Sequence, residues 1–234
     1  MSSVWERASS VCYASISYLL GISSAQQFLS NPSTSQASVS SVNISPDHSF
    51  TKAPQPSITL LTGLGIEGDA HLGKTTQHMF AKTRTPDAIN LRQVHLMESE
   101  FLSTLHKEDG SGVIGGELGD NITTQGIKLL ELKTGALLEF HDVEEEDEEK
   151  ESDEFPGVEQ EPPRIRVRGL RNPCSLIENH GKGLRAQCLE KDPDTKVITK
   201  RKTGVMGTVE RGGIIRPGMR IVVVDEGDGE LKVV

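Results

Sequence analysis

Short strand-like runs punctuated by glycine and proline predict a mainly β fold, a small barrel or sandwich, for this chain of 234 residues. Three observations carry that reading. Apolar and polar residues alternate over short runs, Gly- and Pro-rich turns separate the runs, and no stretch sustains a helical period. An aromatic content of 4% agrees with it. The length suits one domain with extensions and leaves enough chain for a real core.

Residues 1–47 read as a dispensable, disordered arm. They are rich in Ser, with Ala, Asn and Gln among them, and only 11–22 is moderately apolar. Arg7 is the only basic side chain before Lys52 and has Glu6 beside it, which makes a poor presequence or signal n-region. The small residues Ser23 and Ala25 keep a removable leader over 1–25 as the alternative. A cytoplasmic protein is therefore expected, or an organellar or secreted one if that leader operates. Cys12, Cys174 and Cys188 have neither disulfide-framework nor zinc spacing and fit a reducing compartment. No apolar run reaches the roughly 18 residues of a membrane-spanning helix, so no transmembrane segment is expected. Nothing points to nucleic acid.

The domain proper is expected over 48–224. A strand at 57–61 leads into G-L-G-I-E-G-D-A-H-L-G (63–73), whose glycines imply tight turns. It is no P-loop, since Lys74 and Thr75 stand in the wrong frame. Asp69 and His71 would share one side of an extended segment and could contact a ligand; the plainer reading has Asp69 capping a turn and His71 on the surface. Residues 90–97, N-L-R-Q-V-H-L-M, alternate as a half-buried strand, and Phe101, Leu102 and Leu105 fit one face of a short helix. In the second glycine-rich stretch, 112–124, Asp120 and Asn121 are ligand contacts or turn formers. Residues 129–140 read as a hairpin turning near 133–135.

Net charge is -9, but nine acidic residues and one lysine fall within 144–154. With Pro156, Pro162 and Pro163 behind it, this run reads as an insertion at about 142–163, not a domain boundary. The overall acidity thus says little about partners. A strand follows at 164–170. An irregular helical stretch at 176–189 is broken by Gly181 and Gly183, 196–202 is basic and strand-like, and short strands run to 224. Residues 225–234 are read as a tail.

The chemistry concentrates in R-G-L-R-N-P-C-S-L-I-E, residues 168–178. A cysteine is a nucleophile or metal ligand only as thiolate, and Arg168 and Arg171 could stabilise that anion, with Arg164 and Arg166 close behind. Pro173 fixes its own φ and drives Asn172 towards an extended conformation, so the chain leading into Cys174 is stiff. Four arginines also make a cradle for a phosphorylated ligand. Two readings stay open on these residues alone: a cofactor or anion site centred on Cys174, or a buried small thiol beside the solvated face of a strand.

Five motifs in order, G-I-E-G-D-A-H-L-G, R-Q-V-H-L, G-E-L-G-D-N-I-T-T, R-G-L-R-N-P-C and G-V-M-G-T-V-E-R-G-G-I-I-R-P-G, resemble those of MOSC domains, named after the C-terminal domain of molybdenum cofactor sulfurases. The resemblance covers about 48–224. It implies a MOSC-type β-barrel with a few short helices that binds the molybdenum cofactor (molybdopterin), with Cys174 as molybdenum ligand and catalytic residue. Size and motifs look most like stand-alone bacterial-type members, some of which reduce N-hydroxylated compounds. Arg168, Arg171, Asn172, Asp69, His71, Arg92, Asp120 and Asn121 would then bind cofactor or substrate. Two departures stand out: the family's G-E-N is Gly119-Asp120-Asn121 here, and its G-D before the last strand is Gly218-Met219. No aminotransferase-like domain precedes the motifs, so pyridoxal phosphate is not expected.

The resemblance implies an oxidoreductase acting on a small-molecule substrate. Electrons would come from a separate donor protein, because no flavin, haem or iron-sulfur motif is present. The alternatives are a sulfur carrier with a persulfide on Cys174, or a non-catalytic carrier of the cofactor.

Overall fold

Along Arg164–Leu170, Ile165 and Val167 are buried while Arg164, Arg166 and Arg168 face outward, and this alternation makes a barrel wall. The computed structural model describes residues 36–143 and 161–234. In chain order the strands are β1 (Ser38–Ile44), β2 (Ala53–Gln55), β3 (Ile58–Leu61), β4 (Gly65–Ile66), β5 (Val94–Glu98), β6 (Ile122–Gln125) and β7 (Leu137–His141). They continue as β8 (Arg164–Leu170), β9 (Leu189–Lys191), β10 (Ile198–Arg201), β11 (Val205–Arg211), β12 (Gly213–Ile215) and β13 (Arg220–Asp225). The helices are single turns: α1 (Met79–Lys82), α2 (Ser99–Leu102), α3 (Ile177–His180) and α4 (Leu184–Gln187).

Seven of these strands close into a barrel in the order β1, β13, β7, β8, β11, β5, β6 and back to β1. Pairing round the ring is antiparallel except between β5 and β6, which run parallel. Closure satisfies the backbone groups that an open sheet would leave at its edges. β2 lies on β1, while β12, β3 and β4 form a second small sheet and β9 with β10 a separate hairpin. The predicted mainly β barrel with short helices is what the chain forms. Among the described residues no helix is long and apolar enough to cross a membrane.

Two apolar clusters hold the fold. Val39, Val42, Leu96, Ile122, Phe140 and Ile165 belong to the barrel cluster, which also takes Leu60 and Ile66 from the small sheet. Each such fully buried side chain contributes about 1.5–3 kcal/mol. Met97, Leu102, Leu118, Ile177, Leu184 and Cys188 form the second cluster, which gathers α2, α3 and α4 beside the end of β5. The chain leaving β8 passes from the first cluster to the second, and Cys174 lies on that passage.

Three sequence expectations are corrected. The ordered domain starts before His48, because β1 is an integral barrel strand. Its Ser-rich composition suggested an arm, yet Val39 and Val42 are buried and a bulge between Val39 and Ser41 breaks the simple alternation. The part of the expected arm at 1–35 lies outside the described residues, as does 144–160 of the acidic insertion. Residues 129–140 are no hairpin: Leu129–Glu131 is a 3-10 turn that buries Leu129, and only β7 is a strand. The expected tail is docked, with Gly229 bridging Thr134 and Leu170 N–H donating to Lys232 O at 2.8 Å.

Candidate functional site

Leu170 ends β8, and the next four residues are fixed one by one. The Arg171 N–H donates to Gly204 O at 3.1 Å, and Thr203 Oγ1 donates to Arg171 O at 2.9 Å. Arg201 Nε donates to Asn172 Oδ1 and Arg185 Nε to Pro173 O, each at 3.1 Å. Cys174 follows as a free, half-buried thiol, with its carbonyl accepting from Ile177 N–H at the start of α3. The stiff approach expected from Pro173 is thus reinforced from two sides, by the turn before β11 and by α4.

Cys174 opens onto a cavity of about 150 Å³. Lys52, Arg92 and Arg171 line it, together with the imidazoles of His48, His71, His78 and His95. Among the described residues no carboxylate is part of that lining. The Nη1 of Arg171 is buried without a hydrogen-bond partner among the described residues, although the side chain as a whole is only half-buried. Its guanidinium carbon lies 5.8 Å from the Phe50 ring centre. Burial lowers the Arg171 pKa, against the pull of the Cys174, Asp120 and Cys188 charges. A desolvated guanidinium with an open donor is a binding site for an anion.

The imidazoles differ in state. His95 is buried, its Nε2 lies 2.8 Å from Thr203 O, and Nδ1 has no hydrogen-bond partner among the described residues. Burial and the nearby Arg171 charge push it down to about 3, so it is neutral at ordinary pH. His48 and His71 meet edge to face at 5.3 Å. Burial and then the His71 charge lower His48, while burial followed by Arg92 lowers His78.

Behind the lining stands a buried polar frame. Lys52 Nζ lies 2.5 Å from Asp69 Oδ2, and Asn121 Nδ2 donates to the same oxygen at 2.9 Å. Asp69 Oδ1 accepts the His71 N–H at 3.0 Å and lies 3.2 Å from His71 Nδ1. Burial would raise the Asp69 pKa, but the His71 hydrogen bond and the Lys52 charge outweigh it and hold the carboxyl well below the usual range. Asn121 has no donor left for a ligand, since Nδ2 also donates to Asn43 O at 3.1 Å, while Oδ1 accepts His95 N–H at 3.1 Å and keeps one lone pair. Asp120 accepts Gly116 N–H at 2.9 Å and Thr123 Oγ1–H at 2.7 Å, and burial raises its pKa.

Of the residues singled out in the sequence, the fold brings Cys174, Arg171, Asn172, His71, Arg92 and Asn121 to one cavity. Arg92 also donates to the Val234 carbonyl. Asp69 and Asp120 stand behind it as turn formers, and the Asp69–His71 segment is a turn, not the extended stretch expected. Arg168 is elsewhere: it faces outward from β8, donating to Thr208 Oγ1 at 2.8 Å and Glu210 Oε1 at 3.0 Å. Lys52, His48, His78 and His95 went unrecognised as lining residues. Only His95 carried a signal, as part of the R-Q-V-H-L motif; the others are single residues in loops.

Cys188 belongs to the helical cluster, and burial pushes its thiol up to about 11. Among the described residues no group of three or more His, Cys, Asp or Glu side chains is placed to hold a metal ion.

No family model matches the chain, and no curated protein matches it in sequence. Solved structures do share the fold. The YuaD protein from Bacillus subtilis superposes with a TM-score of 0.57 at 19% identity, covering 80% of this chain and 94% of that one. YiiM from Geobacillus stearothermophilus gives 0.52 at 18% identity over 83% and 78% of the two chains.

Proposed function

We propose that this chain is a MOSC-domain protein that holds the molybdenum cofactor in the Cys174 cavity and reduces N-hydroxylated compounds. The observation that carries the reading is the buried, unpartnered Arg171 Nη1 in a cationic cavity with Cys174 in its wall. The donor set fits the group: a thiolate suits molybdenum, and a guanidinium with an open donor, in a lining that holds Arg92 and Lys52 as well, suits the phosphate of the pterin. Five ordered motifs and a fold shared with YuaD and YiiM support it.

In this mechanism Cys174 would hold the metal as thiolate and Arg171 would neutralise the anion beside it. Arg92 and Lys52 add positive charge without moving, because the Val234 carbonyl holds one and Asp69 the other. Neutral His95 offers Nδ1 as an acceptor to a bound N–H or O–H. When bound, the reduced cofactor supplies the oxygen-accepting chemistry that turns an N-hydroxyl into amine and water, with two electrons and two protons consumed. The protein orients the partners and screens them from solvent; the electrons come from a separate donor.

The test is molybdenum analysis of wild type and Cys174→Ser purified from a host that loads a control molybdoenzyme. Stoichiometric metal in the wild type, strongly reduced in the variant, is expected, with turnover of an N-hydroxylated substrate. Metal retained equally by both contradicts ligation by Cys174 and favours cofactor storage. Absence of metal with sulfane sulfur on Cys174 favours sulfur transfer.

A further inference from the structure

We propose that His71 is the proton donor of the reductase site, its Nε2 protonating the substrate nitrogen as the N–O bond breaks, with Asp69 as the positioning residue that fixes the ring. The inference rests on the reductase reading and gives a role to a lining imidazole that the mechanism leaves unused. Asp69 is buried, and although burial would raise its pKa, the His71 hydrogen bond and the Lys52 charge outweigh it and keep the carboxyl ionised. An ionised carboxylate only accepts. Its Oδ1 lies 3.2 Å from His71 Nδ1, so Nδ1 carries the hydrogen of that bond and Nε2 is the nitrogen left to exchange a proton.

The ring is held from several sides. His71 N–H also donates to Asp69 Oδ1, at 3.0 Å, and Asn90 Nδ2 donates to the His71 carbonyl at 2.8 Å. Asp69 Oδ2 is held in turn by Lys52 Nζ at 2.5 Å and Asn121 Nδ2 at 2.9 Å. The His48 ring stands edge to face against His71 at 5.3 Å. Among the described residues Nε2 has no hydrogen-bond partner, and the side chain is 26% exposed at the cavity wall. A general acid needs this combination: one nitrogen fixed, the other open to the substrate, and solvent near enough to return the proton.

The other lining groups are poorer donors. His95 is neutral, since burial and the Arg171 charge push it down to about 3. Burial lowers His48 and His78 as well, with the His71 charge next for the first and Arg92 for the second. Arg92 and Arg171 do not give up protons, and Lys52 Nζ is tied to Asp69. In the step proposed, the nitrogen keeps the pair of the broken N–O bond and takes the proton from His71 Nε2. The oxygen leaves as hydroxide, with two electrons from the reduced cofactor, and a proton from solvent makes it water. The His71 ring is left neutral with its hydrogen on Nδ1 against Asp69, and a second solvent proton restores it.

The experiment uses the full chain from a cofactor-producing host, as wild type, His71→Ala and His71→Gln, with circular dichroism to check folding. Benzhydroxamic acid is the substrate and reduced methyl viologen the electron source. Expected in both variants is a fall in kcat of about 100-fold or more, with KM and molybdenum content close to wild type, and partial recovery of His71→Ala when imidazole is added. Nitrogen-15 NMR of the histidine rings in metal-free wild type gives a readout apart from turnover: neutral His71 should carry its hydrogen on Nδ1. A neutral ring protonated at Nε2 instead, or kcat equal in wild type and both variants, overturns the inference. So does molybdenum lost in step with turnover, which would make His71 a holder of the cofactor. Each of these leaves the reductase reading standing; wild type that holds molybdenum yet turns over no N-hydroxylated compound removes that reading and this inference together.

Discussion

Lys52 and Asp69 form a buried ion pair at 2.5 Å, and Asn121 completes it by donating to the same Asp69 oxygen. The pair ties the segment after β1 to the turn that carries His71 and to the start of β6. Removing one partner leaves the other charge buried and alone. Lys52→Met or Asp69→Asn is therefore expected to cost about 3–5 kcal/mol in chemical denaturation, and the double variant clearly less than the two singles added.

Acid should unfold the protein through two of its buried groups. The Asp69 carboxyl is held low in the fold, so its stabilisation is complete above the unfolded value near 4 and fades as pH falls towards the folded one. His95, pushed down to about 3, acts earlier: below the unfolded value near 6.5 the unfolded chain takes a proton that the folded chain refuses. Stability measured against urea should decline from about pH 6.5 downwards. His95→Gln, which can keep a donor to Thr203 O, should flatten the upper part of that decline, and Asp69→Asn the lower part.

The two arginines of R-G-L-R should separate cleanly. Arg168 is a partly exposed strand residue paired with Glu210, so Arg168→Ala should cost under about 1 kcal/mol and leave molybdenum content unchanged. Arg171→Met removes a buried charge with an open donor. It should lower molybdenum content about 10-fold or more while the metal-free protein keeps or gains thermal stability, as expected where a binding group is held at a cost to the fold.

Glycine positions offer a test of the frame. A Cβ at Gly204 would stand 2.0 Å from Leu96 O at φ +71°, so Gly204→Ala must displace the turn that holds the Arg171 N–H. Gly183 has a similar φ of +80° with nothing within 4 Å of an added Cβ. Gly183→Ala should cost about 1–2 kcal/mol, the strain of the left-handed region alone, and Gly204→Ala clearly more.

The sequence made the strands legible where alternation was clean. β8 and β11 fell within the expected runs, and the glycines broke the helical stretch into α3 and α4 as expected. β1 was hidden because Ser38, Ser40 and Ser41 dominate it, the buried Asn43 is itself polar, and a bulge shifts its period. The same period-two logic decides among the arginines. Arg164, Arg166 and Arg168 share the outer face of β8, while Arg171 follows the end of the strand and turns inward. The cationic lining was largely invisible because His48, Lys52 and His78 sit in loops far from Cys174 in sequence; barrel closure brings them together.

The central claim is that Cys174 is the protein's ligand to the metal of a cofactor held by the Arg171 cavity. Molybdenum X-ray absorption on purified wild type and Cys174→Ser tests it most directly. The account predicts one sulfur neighbour fewer in whatever metal the variant retains. Identical metal-sulfur shells in the two proteins would contradict it.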